Sequence, residues 1–141
     1  MTLIYADRVA ETTSTTDTSS FTLTGVLQGG YQTFLSGIAN GNTCEYVCTD
    51  GSQYETGIGT LSGGTTLSRD TVYASYNGST YGTSKISPAT GAEVRCTLPA
   101  HFMAVAGQVV ALTTTSTLTC QGIITAGSAP TTLTDASGKI L

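Results

Sequence analysis

Short stretches in which apolar and polar residues alternate are separated by glycine-rich turns over much of the chain. Residues 93–98 alternate in this way, which is typical of a strand with one buried face. Residues 43–49 and 52–59 flank Asp50-Gly51, a dipeptide that suits the positive φ angles of a tight hairpin turn. The pattern predicts an all-β domain over residues 4–98, a small antiparallel β-sandwich or a barrel-like fold with little helix.

The segments around this hairpin are interpreted from the same pattern. Residues 21–24 alternate as a strand, and residues 4–9 and 31–35 are predicted to be short strands as well. Residues 11–20 are rich in Thr and Ser, so they are predicted to form a polar loop or an exposed edge. Gly63-Gly64 is predicted to be a turn that leads into residues 65–68 and then residues 70–75.

The pattern changes after Pro99. Apolar residues as far as Leu112 recur at helix-like spacing, but Gly107 and the β-branched valines weaken the prediction of a helix. A helix and a further strand therefore both stay open. Residues 101–141 carry more apolar side chains than a solvated linker needs, yet they offer no core of their own. We therefore divide the chain into a β-domain, residues 1–100, and an extended C-terminal arm expected to mediate assembly by lying against a neighbouring copy or an underlying shell.

Composition supports the all-β prediction and suggests a thin core. The chain has 141 residues, of which 29 are Thr, 14 are Ser and 17 are Gly, and these residues disfavour long helices. Only 29 residues are Leu, Ile, Val or Phe, close to the roughly one-fifth level below which chains tend to be disordered. With a net charge of only −4, a folded domain is nevertheless expected. Thin cores are often completed by partner chains, so a homo-oligomer is expected.

The charge pattern argues against two classes of partner. Five basic residues are spread singly along the chain, which is too few for the cationic surface that nucleic acid or an anionic membrane requires. No run approaches the length of a membrane span, and the N-terminal residues do not resemble a cleaved signal peptide. We expect a soluble protein with neither a nucleic-acid nor a membrane partner.

The four cysteines are Cys44, Cys48, Cys96 and Cys120. In a strand, Cys44 and Cys48 would lie about 13 Å apart, whereas a disulfide needs Cα atoms within about 7 Å. They cannot pair with each other in that conformation, but pairing of either with Cys96 or Cys120 stays open. Buried free thiols are the favoured interpretation, and the spacing does not suit zinc, so no metal is expected.

No pattern of catalytic residues stands out in the chain. His101 is the only histidine, and it is interpreted as a boundary residue because no Ser or Cys nucleophile in its sequence context suggests a triad. The nine carboxylates are scattered, without a pairing that favours glycosidase chemistry. The glycines of residues 57–64 are not followed by the Lys and Ser or Thr of a phosphate-binding loop. Neither an enzyme activity nor a cofactor is expected.

Two segments carry adjacent opposite charges: Asp7-Arg8 and Arg69-Asp70. One interpretation of these two segments is a recognition patch. We favour structural ion pairing between them, because the opposite charges in both can pair reciprocally. The expected pairs are Arg8 with Asp70 or Arg69 with Asp7, tying the first strand to the middle of the domain.

Several segments together resemble a small β-domain of tailed bacteriophages and prophages. The similar segments are residues 4–13, 21–23, 30–34, 64–72 and 98–100. This domain commonly opens fibre, spike or other virion surface proteins. The paired motifs Tyr-Ala-Asp-Arg-Val and Leu-Ser-Arg-Asp-Thr-Val are the most specific part of the resemblance, which covers roughly residues 4 to 100.

The resemblance implies a virion structural protein made in the bacterial cytoplasm, with other copies of itself and a major capsid or tail protein as partners. Only about forty residues follow the similar region, and Cys44 and Cys48 depart from its usual strand residues. The short length favours a capsid decoration or cement protein, or an adaptor at the base of a fibre or spike. The alternative is a carbohydrate-binding or host-receptor-binding tail-fibre module, although the chain has no Trp. Its stacking faces would come from the tyrosines Tyr31, Tyr46, Tyr54, Tyr73, Tyr76 and Tyr81.

Overall fold

The structure is a computed structural model, and it describes residues 1–100. This part of the chain contains eight strands and one short helix. In chain order they are β1 (Ala10–Thr13), β2 (Phe21–Val26), α1 (Phe34–Gly37), β3 (Thr43–Thr49), β4 (Tyr54–Ser62), β5 (Thr66–Leu67), β6 (Thr71–Tyr76), β7 (Tyr81–Gly82) and β8 (Ala92–Cys96).

Six of the strands close into an antiparallel barrel, in the order β3-β8-β1-β2-β5-β4, with β4 pairing back onto β3. The other edge of β4 pairs with β5 through the last residues of β4 and with β6 through its first residues. On its outer side, β6 pairs with β7. The all-β prediction is therefore confirmed, and of its two architectures the barrel is the one found. Outside the closed barrel, the outer edge of the described sheet is formed by the short strand β7 and by residues 71–74 of β6, which β7 does not cover.

The predicted hairpin is present as β3 and β4, with Thr49 opposite Tyr54 at its closed end. Gly51 has a φ of 89°, which a residue with a side chain rarely adopts. One carboxylate oxygen of Asp50 accepts from the backbone N–H groups of Ser52 and Gln53, at 2.9 and 2.8 Å. The turn residues thus set the register of the longest strand pair in the barrel.

The core fills the barrel interior and includes Phe34 of α1 and Ile38, which follows the helix. Burial alternates along β4, as the sequence pattern predicts, whereas the first four residues of β3 are all buried. The buried cluster consists of Val9, Phe21, Leu23, Phe34, Ile38, Cys44, Tyr46, Cys48, Leu61, Leu67, Ala92 and Val94.

Gly57 and Gly59 are inward-facing positions of β4 that leave room for neighbouring backbone. A Cβ at position 59 would overlap the carbonyl oxygen of Ser68, and one at position 57 would overlap that of Thr71. Without these side chains, residues 68–71 can cross close against β4. This close approach brings the side chain of Arg69 into the barrel.

The structure corrects three element predictions. Residues 31–35 are not a strand: Thr33 caps α1, its hydroxyl accepting from the Ser36 N–H at 3.1 Å. Residues 4–9 form no regular strand and make only an isolated bridge from Val9 to Gln32. Residues 11–13 belong to β1 rather than to a polar loop, and the Glu11 and Thr13 side chains are buried.

The remaining predictions about the arm, including its helix or strand character, concern residues 101–141. These residues, with His101 and Cys120 among them, lie outside the described part of the chain.

Candidate functional site

Arg69 and Glu55 form an ion pair inside the barrel, and neither side chain is exposed to solvent. Nε of Arg69 donates to Oε1 of Glu55 at 2.9 Å, and Nη2 bonds to the other carboxylate oxygen. Glu55 also accepts from the Tyr46 hydroxyl at 2.6 Å and from the Ile86 backbone N–H at 2.8 Å. Burying a charge is costly unless it is paired and hydrogen-bonded, so these contacts are what make the pair tolerable.

The rest of the Arg69 guanidinium joins distant loops to the barrel. Its Nη1 donates to the carbonyl oxygens of Asp17 and Ser19, at 3.0 and 3.1 Å. Its carbon atom Cζ lies 4.7 Å from the centre of the Phe21 ring, within cation–π distance. Arg69 is therefore a structural group that holds the β1–β2 loop in place.

The ion-pair partners predicted for Arg8 and Arg69 are wrong. Arg69 pairs with Glu55 rather than Asp7, because the inward turn of residues 68–71 points it at β4. The Asp70 carboxylate faces outward and accepts from the Thr60 hydroxyl at 2.8 Å. Arg8 is exposed, and its Nε donates to the Gly30 carbonyl oxygen at 2.6 Å.

Glu55 is the important residue that the sequence interpretation missed. It stands in β4 at a position whose same-face neighbours are Gly57, Gly59 and Leu61, all buried. A carboxylate in a run of small and apolar residues at alternate positions was the available signal of a buried charge. Its partner could not be read from that pattern, because barrel closure brings the two together.

Tyr31 lies at the centre of a cluster of charged groups on the surface. The Cζ atoms of Arg8 and Arg95 lie 4.3 and 5.2 Å from its ring centre, and Nη1 of Arg95 donates to its hydroxyl at 2.7 Å. Arg95 also pairs with Glu93 at 2.6 Å. The hydrogen bond with Glu93 is the main cause that raises the pKa of Arg95, and burial opposes it.

An open groove of about 670 Å³ lies between the N-terminal segment and the end of β8. It is lined by residues 5–8 on one side and residues 96–98 on the other. Tyr5 and Leu98 expose 43% and 50% of their surface here, unlike the buried apolar residues of the core. The groove therefore combines exposed apolar groups with the charges of Asp7 and Arg8, a combination suited to binding a polypeptide segment.

Tyr5 also connects this groove to a buried carboxylate. Glu45 in β3 is 1% exposed, and both Tyr5 and Tyr73 hydrogen-bond to it. Burial, with the charge and hydrogen bond of Glu45, raises the pKa of Tyr5 to about 12, and the same causes raise that of Tyr73. The two hydroxyls therefore stay protonated and act as donors to Glu45 at neutral pH.

The described cysteines are free thiols. Cys44 and Cys48 are buried in the core, which confirms the favoured interpretation for these two. Cys96 is only partly buried, and it is the one of the three that lines the groove.

The tyrosines considered as stacking faces differ widely in exposure. Tyr46 is fully buried, and Tyr31 is engaged with two arginines. Tyr81 on β7 is 78% exposed, and its ring centre lies 4.7 Å from that of Tyr76, at an interplanar angle of 35°. This tyrosine pair is the described aromatic surface best placed to stack on a sugar ring.

Comparison with known proteins returned no match, whether with family models, curated proteins or solved structures. The likeness to phage surface domains therefore stays a resemblance of motifs. Within residues 1–100, no helix is long and apolar enough to cross a membrane. The same residues contain no group of three or more His, Cys, Asp and Glu placed to hold a metal ion.

Proposed function

We propose that this chain is a structural protein of a tailed-bacteriophage particle. Its role would be that of a capsid decoration or cement protein, or of an adaptor at the base of a fibre or spike, bound as a symmetric oligomer. The observation that carries the proposal is the open groove with Tyr5 and Leu98 exposed in its walls, at the end of a barrel whose Arg69–Glu55 pair is internal. Such a surface suits permanent contact with protein neighbours.

The positions of the two motifs that resemble the phage domain support this proposal. Residues 67–72 supply Arg69, which is bonded to β4 and to the β1–β2 loop. Residues 5–8 form one wall of the groove. The motifs that resemble the phage domain thus contribute to barrel stability and to the candidate contact surface, as expected of a module defined by its fold.

The groove is also a better docking place for the arm than a sheet edge. The barrel itself has no free edge, and outside it the unpaired edge is short, consisting of the two-residue strand β7 and residues 71–74 of β6. The groove ends at Leu98, close in sequence to where the arm begins. The arm includes the apolar residues Phe102, Met103, Val105, Val109, Ile123, Ile140 and Leu141. We expect apolar residues of a neighbouring copy's arm, or of the shell protein, to fill the groove.

Reconstitution with virion shells tests this proposal. Leu98→Asp places a charge in the groove and should reduce the number of copies bound per shell. Leu35→Asp is the matched control, because Leu35 is also 50% exposed but does not line the groove. Equal binding of wild type and both variants would show that the groove is not the contact surface. Failure of the wild type to bind shells at all would contradict the virion role.

The exposed tyrosine pair supports a second candidate function, that of a carbohydrate-binding or receptor-binding module. A depression of about 140 Å³ beside Tyr81 is lined by the polar residues Ser75, Asn77, Thr80, Ser84 and Lys85. Aromatic stacking with surrounding hydroxyl and amide groups is the usual chemistry of sugar recognition. Binding of host surface glycans that Tyr81→Ala abolishes and Leu98→Asp leaves unchanged would favour this function over the first.

A further inference from the structure

Cys44 and Cys96 lie on two neighbouring strands, and Cys96 packs against the core cluster to which Cys44 belongs. In the ladder between β3 and β8, Cys96 is opposite Tyr46. Cys44 precedes Tyr46 by two residues, so it lies diagonally across from Cys96 on the same inward face. The two thiols are close enough for each to shift the pKa of the other.

The two thiols differ in their access to solvent. Cys44 is fully buried in the core cluster. Cys96 lies at the end of β8 and lines the groove, where a small reagent can reach its sulfur. The backbone N–H of Ala6 also hydrogen-bonds to that sulfur, an interaction that favours the thiolate form. A partly exposed cysteine that lines the groove thus lies beside a buried one.

We propose that Cys96 is a redox modification site that reacts with small disulfides such as glutathione disulfide, and that Cys44 is its resolving partner. The Cys96 thiolate attacks one sulfur of glutathione disulfide, forming a mixed disulfide and releasing a glutathione thiolate. The Cys44 thiol then loses its proton to that thiolate and attacks Cys96, displacing the second glutathione. The protein gains a Cys44–Cys96 bond and loses two hydrogens, and one glutathione disulfide becomes two molecules of glutathione.

The ionisation of the two thiols supports this order of events. The hydrogen bond from Cys44, together with the Ala6 N–H, lowers the pKa of Cys96 to about 7, against burial and the charges of Glu45 and Asp7. The same thiol–thiol hydrogen bond and burial raise the pKa of Cys44. Cys96 is therefore the attacking thiolate at neutral pH, and Cys44 reacts only after Cys96 has been modified.

The bond would join β3 to β8 at the end of the barrel that carries the groove. The β3–β8 ladder ends at the Tyr46–Cys96 pair, and the Thr97 N–H still donates to the Glu45 carbonyl oxygen at 3.1 Å, so the two strands are held side by side where the bond would form. A glutathione-reducing cytoplasm would keep the pair open, and an oxidising exterior would close it. The inference concerns these two thiols alone and does not depend on the proposed virion role.

Peptide mapping under non-reducing conditions tests the proposal, using native full-length protein with Cys120→Ser to remove the fourth cysteine. After incubation with glutathione disulfide, we expect loss of the mass of two hydrogens and a peptide pair linked through Cys44 and Cys96. Adding Cys48→Ser is the matched control and should change nothing, because Cys48 lies deeper along β3 near Glu55 and Arg69. Adding Cys44→Ser should instead trap one glutathione on Cys96.

A second measurement needs no change at Cys44 or Cys96. Brief alkylation of the native protein should label Cys96 roughly tenfold or more faster than Cys48, because reactivity follows exposure and thiolate content. Equal labelling rates, or stable glutathione on Cys96 without formation of the Cys44–Cys96 bond, would overturn the proposal. So would a linked pair that appears only when denaturant is present.

Discussion

The Glu11 carboxylate accepts a hydrogen bond from the backbone N–H of Phe34 at 2.7 Å, within the protein interior. Glu11 lies in β1, and Phe34 begins the helix α1 and belongs to the buried core. The bond satisfies a helix N–H that has no partner within its own helix. The Glu11 carboxylate therefore ties α1 to β1.

Replacing Glu11 should destabilise the barrel through this helix. Glu11→Ala leaves the Phe34 N–H buried without its acceptor, so we expect the free energy of unfolding to fall by about 1–3 kcal/mol. Glu11→Gln is the control, because its amide oxygen can still accept the bond and should restore much of the loss. Urea unfolding of the three proteins measures the difference. Equal losses in both variants would show that the hydrogen bond is not the source of the effect.

Arg69→Ala should cause a larger loss. Removing the guanidinium leaves the Glu55 carboxylate buried without its counter-ion, which typically costs about 3–5 kcal/mol. Arg95→Ala is the matched control, because its pair with Glu93 is partly exposed and should contribute about 1 kcal/mol or less. Urea unfolding compares the two variants with wild type. Similar losses would contradict the structural role assigned to the buried pair.

Gly59→Ala tests the close approach of residues 68–71 to β4. The added methyl group would overlap the Ser68 carbonyl oxygen, so we expect a loss of about 1–3 kcal/mol or more. Gly82→Ala in β7 is the control, because the nearest atom to its new Cβ is 4.0 Å away. Thermal unfolding should show a lower midpoint for Gly59→Ala alone. A wild-type midpoint for that variant would mean that the two segments do not approach so closely.

The Asp50 turn should give the protein a measurable dependence on acid. Partial burial acts to raise the pKa of Asp50, but hydrogen bonds from Ala89, Ser52 and Gln53 outweigh it and hold the pKa well below its ordinary range. A carboxyl whose pKa falls on folding stabilises the protein above its unfolded pKa of about 3.9. That contribution is lost progressively as the pH drops below about 5 toward the folded pKa.

Asp50→Asn removes this contribution, so the stability difference between wild type and variant should shrink as the pH is lowered. Urea unfolding of both proteins from neutral to acidic pH measures the difference. Asp70→Asn is the control, because Asp70 lies on the surface with a hydroxyl donor from Thr60. A difference for Asp50→Asn that stays constant with pH would contradict the role of the turn carboxylate.

The features predictable from the sequence were those determined by neighbouring residues. The β3–β4 hairpin follows from alternation around Asp50 and Gly51, and β8 follows from alternation before Pro99. These signals act over a few residues, so a single pattern contains them.

The missed features depend on contacts between residues far apart in the chain. Glu11 and Thr13 resemble loop residues, but they are buried because Phe34 and Thr22 supply their hydrogen-bond partners. Arg69 finds Glu55 only after residues 68–71 pass the glycines of β4. Local polarity therefore predicted exposure where the closed barrel provides internal partners.

We propose that the chain assembles on a phage particle through its groove and arm. Electron cryomicroscopy of shells incubated with full-length protein, or with protein truncated after Ala100, measures this most directly. Circular dichroism first confirms that the truncated barrel is folded. We expect barrel density at symmetry-related sites for the full-length protein and loss of that density for the truncated one. Full occupancy by the truncated protein would contradict the role of the arm, and bare shells with the full-length protein would contradict the virion function itself.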